Sequence, residues 1–193
     1  MSARYETVFL DRDGVLNRKA DEGDYVKAVE EWRWLPGAVE ALQQLQRAGS
    51  RLVVVTNQRG VARGLMTAEA LEAIHARLGD DLRAAGVTLA GIYACPHHAD
   101  ACDCRKPGTG LFEQAARELP GIAPATSAMV GDSLSDLEAG TRFGCATYLV
   151  AGHDSPLPAR AAARGLRLDG VAASLREVVA DHLLPARVAG PAS

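Results

Sequence analysis

The chain lacks the features that mark several common classes of protein. Its 193 residues carry a formal net charge of only -3. So small a charge offers no cationic surface that could hold a phosphate backbone, and we expect no nucleic-acid partner. No apolar run approaches the roughly 18 residues that a membrane span needs, and Met1–Leu10 lacks the apolar stretch of a signal peptide. We therefore expect a cytoplasmic protein that has no membrane partner.

The length and composition indicate one ordinary globular domain. Hydrophobic residues make up 48% of the chain, and there is no internal repeat or low-complexity tract. A chain of this size buries about 70% of its unfolded surface, which is enough for a sizeable core. We expect a single domain over residues 1–185, acting as a monomer. Residues 186–193, which include Pro, Gly and Ala, are expected to form a frayed tail.

Short apolar runs alternate with helical patterns, which indicates a parallel sheet built from β-α units. Thr7–Leu10 and Leu52–Val55 are apolar runs that are typical of buried strands. Between them we expect a helix whose first residue is Pro36 and whose end is Gly49. The predicted fold class is α/β: a Rossmann-like parallel sheet with helices on both faces, a small metal-bound loop and no large cap domain.

The same patterns predict the remaining elements. Further strands are expected at Gly91–Ala94, Ala128–Val130, Ala146–Val150 and Leu166–Leu168. Further helices are expected from Thr67, near Leu111–Leu119, and over about Ser135–Phe143 and Val171–Leu184. In an open parallel sheet, ligands bind beyond the carboxyl ends of the strands. Chemically active side chains follow the strands at those ends, and they include Asp11, Thr56, Cys95 and Asp132.

Two pairs of carboxylates stand out. Asp11 and Asp13 follow the first strand within Asp-Arg-Asp-Gly, and Asp132 and Asp136 follow a later strand within Gly-Asp-Ser-Leu-Ser-Asp. Like charges this close need a compensating cation, and Mg²⁺ prefers such oxygen ligands. Two structural alternatives stay open: an acidic turn at the first pair, and helix capping by Ser135 with Asp136 in the first turn at the second.

Two further segments offer groups that bind anions. Thr56, Asn57 and Gln58 end the second strand with a hydroxyl and two amides that can donate to phosphate oxygens. Arg105 presents a planar fork and Lys106 a compact charge, and both groups suit phosphate. The alternatives are that the polar residues merely cap a turn and that the basic pair is solvated surface.

Three of the four cysteines are crowded together in the sequence. Cys95, Cys102 and Cys104, with His97, supply three thiolates and an imidazole, a closed tetrahedral set that suits a structural Zn²⁺. In a reducing compartment such crowding indicates a metal before a disulfide. His98 is the alternative imidazole ligand.

Taken together, the motifs resemble a known family. Asp-x-Asp-Gly after the first strand, Thr after the second, a Lys, and then Gly-Asp-x-x-x-Asp occur in the order of the haloacid dehalogenase superfamily of phosphohydrolases. Within that superfamily, residues 11–17, 56–64 and 95–107 are similar to those of the D-glycero-D-manno-heptose 1,7-bisphosphate 7-phosphatases. The resemblance implies a phosphomonoesterase that removes the 7-phosphate of that sugar.

The resemblance also implies a role for each motif. Asp11 would be the nucleophile and Asp13 the general acid and base, with Lys106 neutralising charge. Mg²⁺ would be held by Asp11, the backbone carbonyl of Asp13 and Asp132, with support from Asp136. The implied substrate contacts are Thr56, Asn57, Gln58, Arg59, Arg105, Lys106 and, in the loop after the first motif, Glu22, Gly23 and Tyr25.

Two other functions stay open from the sequence. A histidinol-phosphate phosphatase resembles this chain in the Asp-x-Asp-Gly motif and the zinc loop, and would differ only in its alcohol. A non-catalytic binding module with a zinc loop is the alternative from another class. Retention of both Asp11 and Asp13 disfavours the binding module, because a binder does not need an acid/base residue.

Overall fold

The computed structural model describes residues 4–21, 23–99 and 101–184. Its strands are β1 (Thr7–Leu10), β2 (Arg51–Asn57), β3 (Gly91–Cys95), β4 (Ser127–Gly131), β5 (Ala146–Val150) and β6 (Gly170–Ala172). They form one six-stranded sheet in the order β3-β2-β1-β4-β5-β6, and every neighbouring pair is parallel. The predicted parallel α/β sheet is therefore confirmed.

Helices cover both faces of this sheet, as predicted. They are α1 (Ala38–Ala48), α2 (Ala68–Ala84), α3 (Gly110–Glu118), α4 (Leu134–Phe143), α5 (Leu157–Ala163) and α6 (Leu175–Val178), which continues into a π-helical turn (Val179–Leu183). Apolar residues of α1, α2 and α6 pack on one face, and those of α3, α4 and α5 on the other. Short 3-10 turns lie at Val29–Glu31 and Pro124–Thr126.

The alternation of side chains along β1 explains why both faces are apolar. Val8 and Leu10 join the cluster beneath α1 and α2, while Phe9 points to the opposite face and packs on Phe112 of α3 with ring centroids 4.7 Å apart. A central strand that is buried on both faces has to be apolar at every position. This requirement accounts for the short apolar run that predicts β1.

The strand order fixes where a ligand can bind. From β1 the chain crosses to β2 on one side, whereas β4 returns to the other side of β1. This is the topological switch point of the sheet, and the crevice of an α/β sheet opens beyond the carboxyl ends of the two strands that flank it. Asp11 directly follows β1, and Asp132 directly follows β4. The fold thus brings together two carboxylates that are far apart in the sequence.

Two helix starts differ slightly from the prediction. Helix α1 begins after Gly37, whose φ of 76° is left-handed, so Pro36 lies before the helix instead of opening it. Helix α4 has Ser133 as its N-cap, not Ser135. The side chain of Asp136 accepts from the backbone nitrogen of Ser133 at 3.1 Å, which sets the start of the helix two residues earlier.

The structure differs from the prediction in the positions of the last two elements. A strand was predicted at Leu166–Leu168 and a helix at Val171–Leu184, and both begin later in the chain. The last strand lies later, at β6, where Val171 pairs with Leu149 of β5. Leu166 and Leu168 pack as loop residues against the small apolar cluster that α4 and α5 share. The last helix starts after Ser174, whose hydroxyl accepts from the backbone nitrogen of Glu177.

The chain between β1 and α1 is a loop with a single 3-10 turn, with no separate layer over the sheet in the described residues. Of the helices that the structure describes, none combines the length and the apolar character that crossing a membrane requires. Glu22 and the predicted tail, 186–193, lie outside the described residues.

Candidate active site

The turn after β1 places Asp11 against Asp132. Asp11 is 9% exposed, and its carboxylate accepts from the backbone nitrogen of Arg12 at 2.8 Å. Gly14 turns the chain with a φ of +88°, a conformation that other residues rarely adopt. A side chain at this position would collide with the Asp132 carboxylate. The glycine therefore allows the close approach of the two acidic segments.

Lys106 lies at the centre of the carboxylates and is 2% exposed. Its ammonium contacts Asp136 Oδ1 at 2.6 Å and Asp11 Oδ1 at 3.0 Å, and it donates to the carbonyl of Val55 at 2.8 Å. Burial opposes the charge of the ammonium, but the two carboxylates outweigh that effect and raise the pKa of Lys106. The Lys106 ammonium thus lies against three oxygen atoms of the site.

The carboxylates repel one another in spite of this lysine. Burial raises the pKa of Asp11 to about 7, Lys106 lowers it, and the charges of Asp136 and Asp132 raise it. Burial also raises the pKa of Asp132, and Asp136 adds to that shift. One additional cation is needed to hold all of these groups ionised.

The oxygen atoms of Asp11, Asp132 and Asp136 are positioned to bind such a cation. One carboxylate oxygen from each lies within 4.8 Å of the others. A set of hard oxygen donors with room for water is the environment that Mg²⁺ prefers. Asp136 also accepts from the Ser133 hydroxyl at 2.6 Å. Asp136 therefore serves both as a helix cap and as a partner of Lys106, and its support of a metal ion stays a prediction.

Lys19 is a site residue that the sequence motifs did not indicate. Its ammonium contacts Asp132 Oδ2 at 2.8 Å although 59% of its side chain is exposed. No motif contains it, and only the path of the loop after β1 brings it to the end of β4. Lys19 compensates part of the charge that a metal ion would neutralise.

Asp13 is held by three donors. The Arg12 guanidinium donates to Asp13 Oδ2 at 2.9 Å, Asn17 donates to Oδ1 at 2.8 Å, and Gln58 donates to Oδ2 at 2.8 Å. Arg12 is fully buried, and its guanidinium also lies 6.0 Å from the Trp32 ring centroid. Arg12 and Asn17 are site residues that the motifs missed. These contacts fix the Asp13 carboxylate beside Asp11.

Thr56 and the residues that follow it also make contacts within the protein, and Thr56 and Asn57 both line the cavity. Thr56 lines the cavity above Asp11, and its hydroxyl accepts from Gln58 at 2.8 Å. Asn57 exchanges two hydrogen bonds of 3.0 Å with the backbone of Lys106, so both ends of its side chain are occupied. Gln58 is fully buried and positions Asp13. Arg59 does not line this cavity in the described part of the chain.

The cavity itself has a volume of about 230 Å³. Asp11, Asp13 and Asp132 form its floor, while Tyr25 and Arg105 line it farther out. One guanidinium nitrogen of Arg105 is buried without a hydrogen-bond partner among the described residues. Such a group is costly unless a ligand satisfies it. Gly23 does not reach this cavity but borders the neighbouring one.

The cysteine cluster forms as the spacing predicts. Ligand atoms of Cys95, His97, Cys102 and Cys104 lie within 4.8 Å of one another. His97 Nδ1 is 3.6 Å from the Cys95 sulfur and 3.3 Å from the Cys104 sulfur. A tetrahedral zinc with ligands at about 2.1–2.3 Å needs ligand atoms about 3.6 Å apart. The geometry fits that ion, with His97 as the imidazole.

Comparisons with known proteins identify the family of this chain. The family description "haloacid dehalogenase-like hydrolase" matches residues 3–144. The D-glycero-alpha-D-manno-heptose-1,7-bisphosphate 7-phosphatase of Mycobacterium bovis is 45% identical over 154 residues, which cover 77% of this chain and 80% of the relative. The D-glycero-beta-D-manno-heptose-1,7-bisphosphate 7-phosphatase of Pasteurella multocida is 44% identical over 142 residues, covering 70% of this chain and 75% of the relative.

A solved structure supports the same relationship. The D,D-heptose 1,7-bisphosphate phosphatase of B. bronchiseptica, complexed with magnesium and phosphate, superimposes with a TM-score of 0.79 at 38% identity. The match covers 91% of this chain and 96% of that structure. The family match spans β1 to α4, the part of the chain that contains every acidic residue of the site. The chain belongs to the haloacid dehalogenase-like hydrolase family.

Proposed function

We propose that this protein is a Mg²⁺-dependent phosphatase that removes the 7-phosphate of D-glycero-D-manno-heptose 1,7-bisphosphate. The supporting observation is the buried Lys106, shared by Asp11 and Asp136 at the switch point of the sheet. A non-catalytic binder has no need of a nucleophile, an acid/base residue and a buried cation in one crevice. The substrate is the one named for relatives at 42–45% identity. Residues 1–185 act as one catalytic domain.

Asp11 is the nucleophile of the proposed reaction. Its carboxylate attacks phosphorus, the bond to the sugar oxygen breaks, and an aspartyl-phosphate forms. Water then attacks this phosphoryl group and releases inorganic phosphate. Lys106 reduces the repulsion between the carboxylate and the incoming anion, which otherwise opposes the first step. Asp11, Asp132 and the backbone carbonyl of Asp13 would hold Mg²⁺, which would supply further neutralisation of phosphoryl charge.

Asp13 is the general acid and then the general base. Protonated, it gives its proton to the departing sugar oxygen; ionised, it accepts the proton of the attacking water. Arg12, Asn17 and Gln58 donate to this carboxylate and restrict its rotation. We assign Arg12 and Gln58 as positioning residues.

The phosphoryl oxygens are bound at the ends of β2 and of the zinc loop. The Thr56 hydroxyl lines the cavity, and the unpartnered guanidinium nitrogen of Arg105 is available to a phosphate. Asn57 contributes indirectly, because its side chain holds Lys106 in place. Tyr25 and Gly23, in the loop after β1, are the proposed contacts to the sugar, and the contact predicted for Glu22 stays a prediction.

Phosphate release by the purified protein with Mg²⁺ tests the proposed substrate. We expect kcat/KM for heptose 1,7-bisphosphate, in its better anomer, to exceed that for histidinol phosphate by a hundredfold or more. Such a ratio corresponds to about 2.7 kcal/mol of transition-state discrimination. A preference for histidinol phosphate would support the proposed phosphatase mechanism but contradict the proposed substrate. If phosphate were released from neither compound, the proposed function would be wrong, although the description of the fold would be unaffected.

The cluster of Cys95, His97, Cys102 and Cys104 holds a structural Zn²⁺ in this proposal. Four protein ligands leave no open position for catalysis. The last ligand, Cys104, is followed directly by Arg105 and Lys106. The ion therefore stabilises a loop that carries two cations into the site.

Replacing Cys104 with Ser is expected to remove the zinc and destabilise the protein. We expect metal analysis to find one zinc per chain in the wild type and little in the variant. The free energy of unfolding should fall by about 2 kcal/mol or more, about 4–8 °C in Tm for a chain of this size. Cys145→Ser is the matched control, because Cys145 is buried but lies outside the cluster. Full zinc content in the Cys104 variant would contradict the assignment.

A further inference from the structure

A second cavity adjoins the one above Asp11. Its volume is about 660 Å³. The two cavities share the following lining residues: Lys19, Ala20, Asp24, Asp132 and Ser133. The far wall of the second cavity is formed by Leu157, Arg160 and Arg164, from α5 and the residue that caps it. A substrate that fills the first cavity therefore has a continuous path toward this wall.

The far wall carries two arginines without partners. Arg160 and Arg164 are four residues apart, so they project from the same side of α5, and both are exposed. Neither side chain forms a hydrogen bond or an ion pair with any residue that the structure describes. Like charges at this spacing destabilise a helix by a few tenths of a kcal/mol. An anion placed between them would remove that cost.

The acidic residues around this cavity are largely compensated. Asp24 pairs with Lys27 at 2.8 Å, and Asp132 pairs with Lys19 at 2.8 Å. Asp21 is the remaining carboxylate on the lining. A metal ion held by Asp132 would weaken the pairing of this carboxylate with Lys19. Lys19 would then be available as a third cation where the two cavities meet.

We propose that Arg160, Arg164 and Lys19 bind the second phosphate of the substrate, the one that is not hydrolysed. This inference rests on the proposed function, because only a bisphosphate fills both cavities with phosphate groups. Guanidinium groups suit the task, since their planar fork makes paired hydrogen bonds to phosphate oxygens. The arginines then contribute to the preference for a bisphosphate over a monophosphate.

The opposite side of the site is less suited to a second phosphate. The cavity there is lined by Arg105, Lys106 and Arg142. Arg142 is paired with Glu138, and Lys106 is used by Asp11 and Asp136. Only Arg105 remains available, and it also lines the cavity of the reacting phosphate. Of these two cavities, the one beside α5 offers two unpaired cations.

The double variant R160A/R164A tests the inference with two substrates, heptose 1,7-bisphosphate and heptose 7-phosphate. We expect the ratio of kcat/KM for the bisphosphate to that for the monophosphate to fall by about tenfold to a hundredfold. The change should lie mainly in KM. The wild-type KM for the bisphosphate should also rise more steeply with salt than that for the monophosphate, and the variant should lose this difference.

The matched control is R47A/R117A. Arg47 and Arg117 lie in the last turns of α1 and α3. Crossover helices run back toward the start of the next strand, so these arginines are far from the site. The control removes the same charge and should keep the wild-type ratio. If the wild type hydrolyses the bisphosphate and R160A/R164A keeps the wild-type ratio, the inference is wrong and the proposed function stands. If the wild type releases phosphate from neither sugar, both are wrong.

Discussion

Replacing Asp11 with Asn should abolish phosphate release and leave the protein folded and at least as stable as the wild type. An amide of the same shape cannot form an aspartyl-phosphate, and loss of a nucleophile costs about 10⁶ in kcat in well-studied hydrolases. Stability should not suffer, because burial and neighbouring acids disfavour the ionised Asp11 carboxylate and raise its pKa to about 7. The neutral amide removes that unfavourable charge.

The pH dependence gives this prediction a second measurement. Between its ordinary pKa of 3.8 and about 7, Asp11 holds more proton in the folded chain than in the unfolded chain. Without metal, its contribution to the free energy of unfolding therefore falls as the pH rises through that window. In denaturant titrations at pH 5 and pH 7.5, the Asp11 variant should lack this decrease in the free energy of unfolding.

Asp80→Asn, at an exposed position on α2, is the control variant that should keep full activity. Activity above about 1% of wild type in the Asp11 variant would exclude the proposed nucleophile.

Replacing Lys106 with Met should cost both activity and stability. The change leaves Asp11 and Asp136 buried without their shared cation, and breaking a buried ion pair from one side costs about 3–5 kcal/mol. The activity should fall by about 10³ or more, because charge stabilisation at the reacting phosphate is lost. Lys106 lowers the pKa of Asp11, so that pKa should rise further in the variant. Residual activity should therefore need a higher pH than in the wild type.

Lys19→Met is the control variant that tests whether the loss of stability depends on the burial of the lysine. Lys19 also pairs with a carboxylate of the site, but its side chain is 59% exposed. Exposed pairs are worth about 0–1 kcal/mol, so the stability should change little. Denaturant unfolding of both variants, without and with Mg²⁺, separates the two positions. If both variants lost the same free energy of unfolding, burial would not explain how much Lys106 contributes to stability.

The sequence predicted the central part of the fold well because local and tertiary requirements agree there. The apolar run at β1 is buried on both faces, and Thr67 accepts from the backbone nitrogen of Ala70 as an N-cap should. At the carboxyl end the two requirements diverge. The apolar pattern at Leu166 and Leu168 serves packing against α4 and α5, not strand pairing. Nothing in a local window distinguishes those two uses of an apolar side chain.

The predicted site residues are brought together to different degrees. Asp11, Lys106, Asp132 and Asp136 meet in one cluster, since strand ends of a parallel sheet share an edge. Arg12 and Lys19 could not be found by motif, because their importance depends on which groups the folded chain sets beside them. The position of Arg12 between two acidic motif residues is the one signal that the sequence offered, and only the structure shows that its charge is buried.

The pairing of Asn57 with the backbone of Lys106 has a consequence for how the metal-binding loop can vary. The two hydrogen bonds attach the chain just after the last cysteine to the end of β2. The position of Lys106 is therefore set by the sheet and does not depend on how many residues separate His97 from Cys102. Insertions and deletions in that stretch should be tolerated as long as the four ligands still converge. The loop can change its length through evolution while the lysine keeps its place.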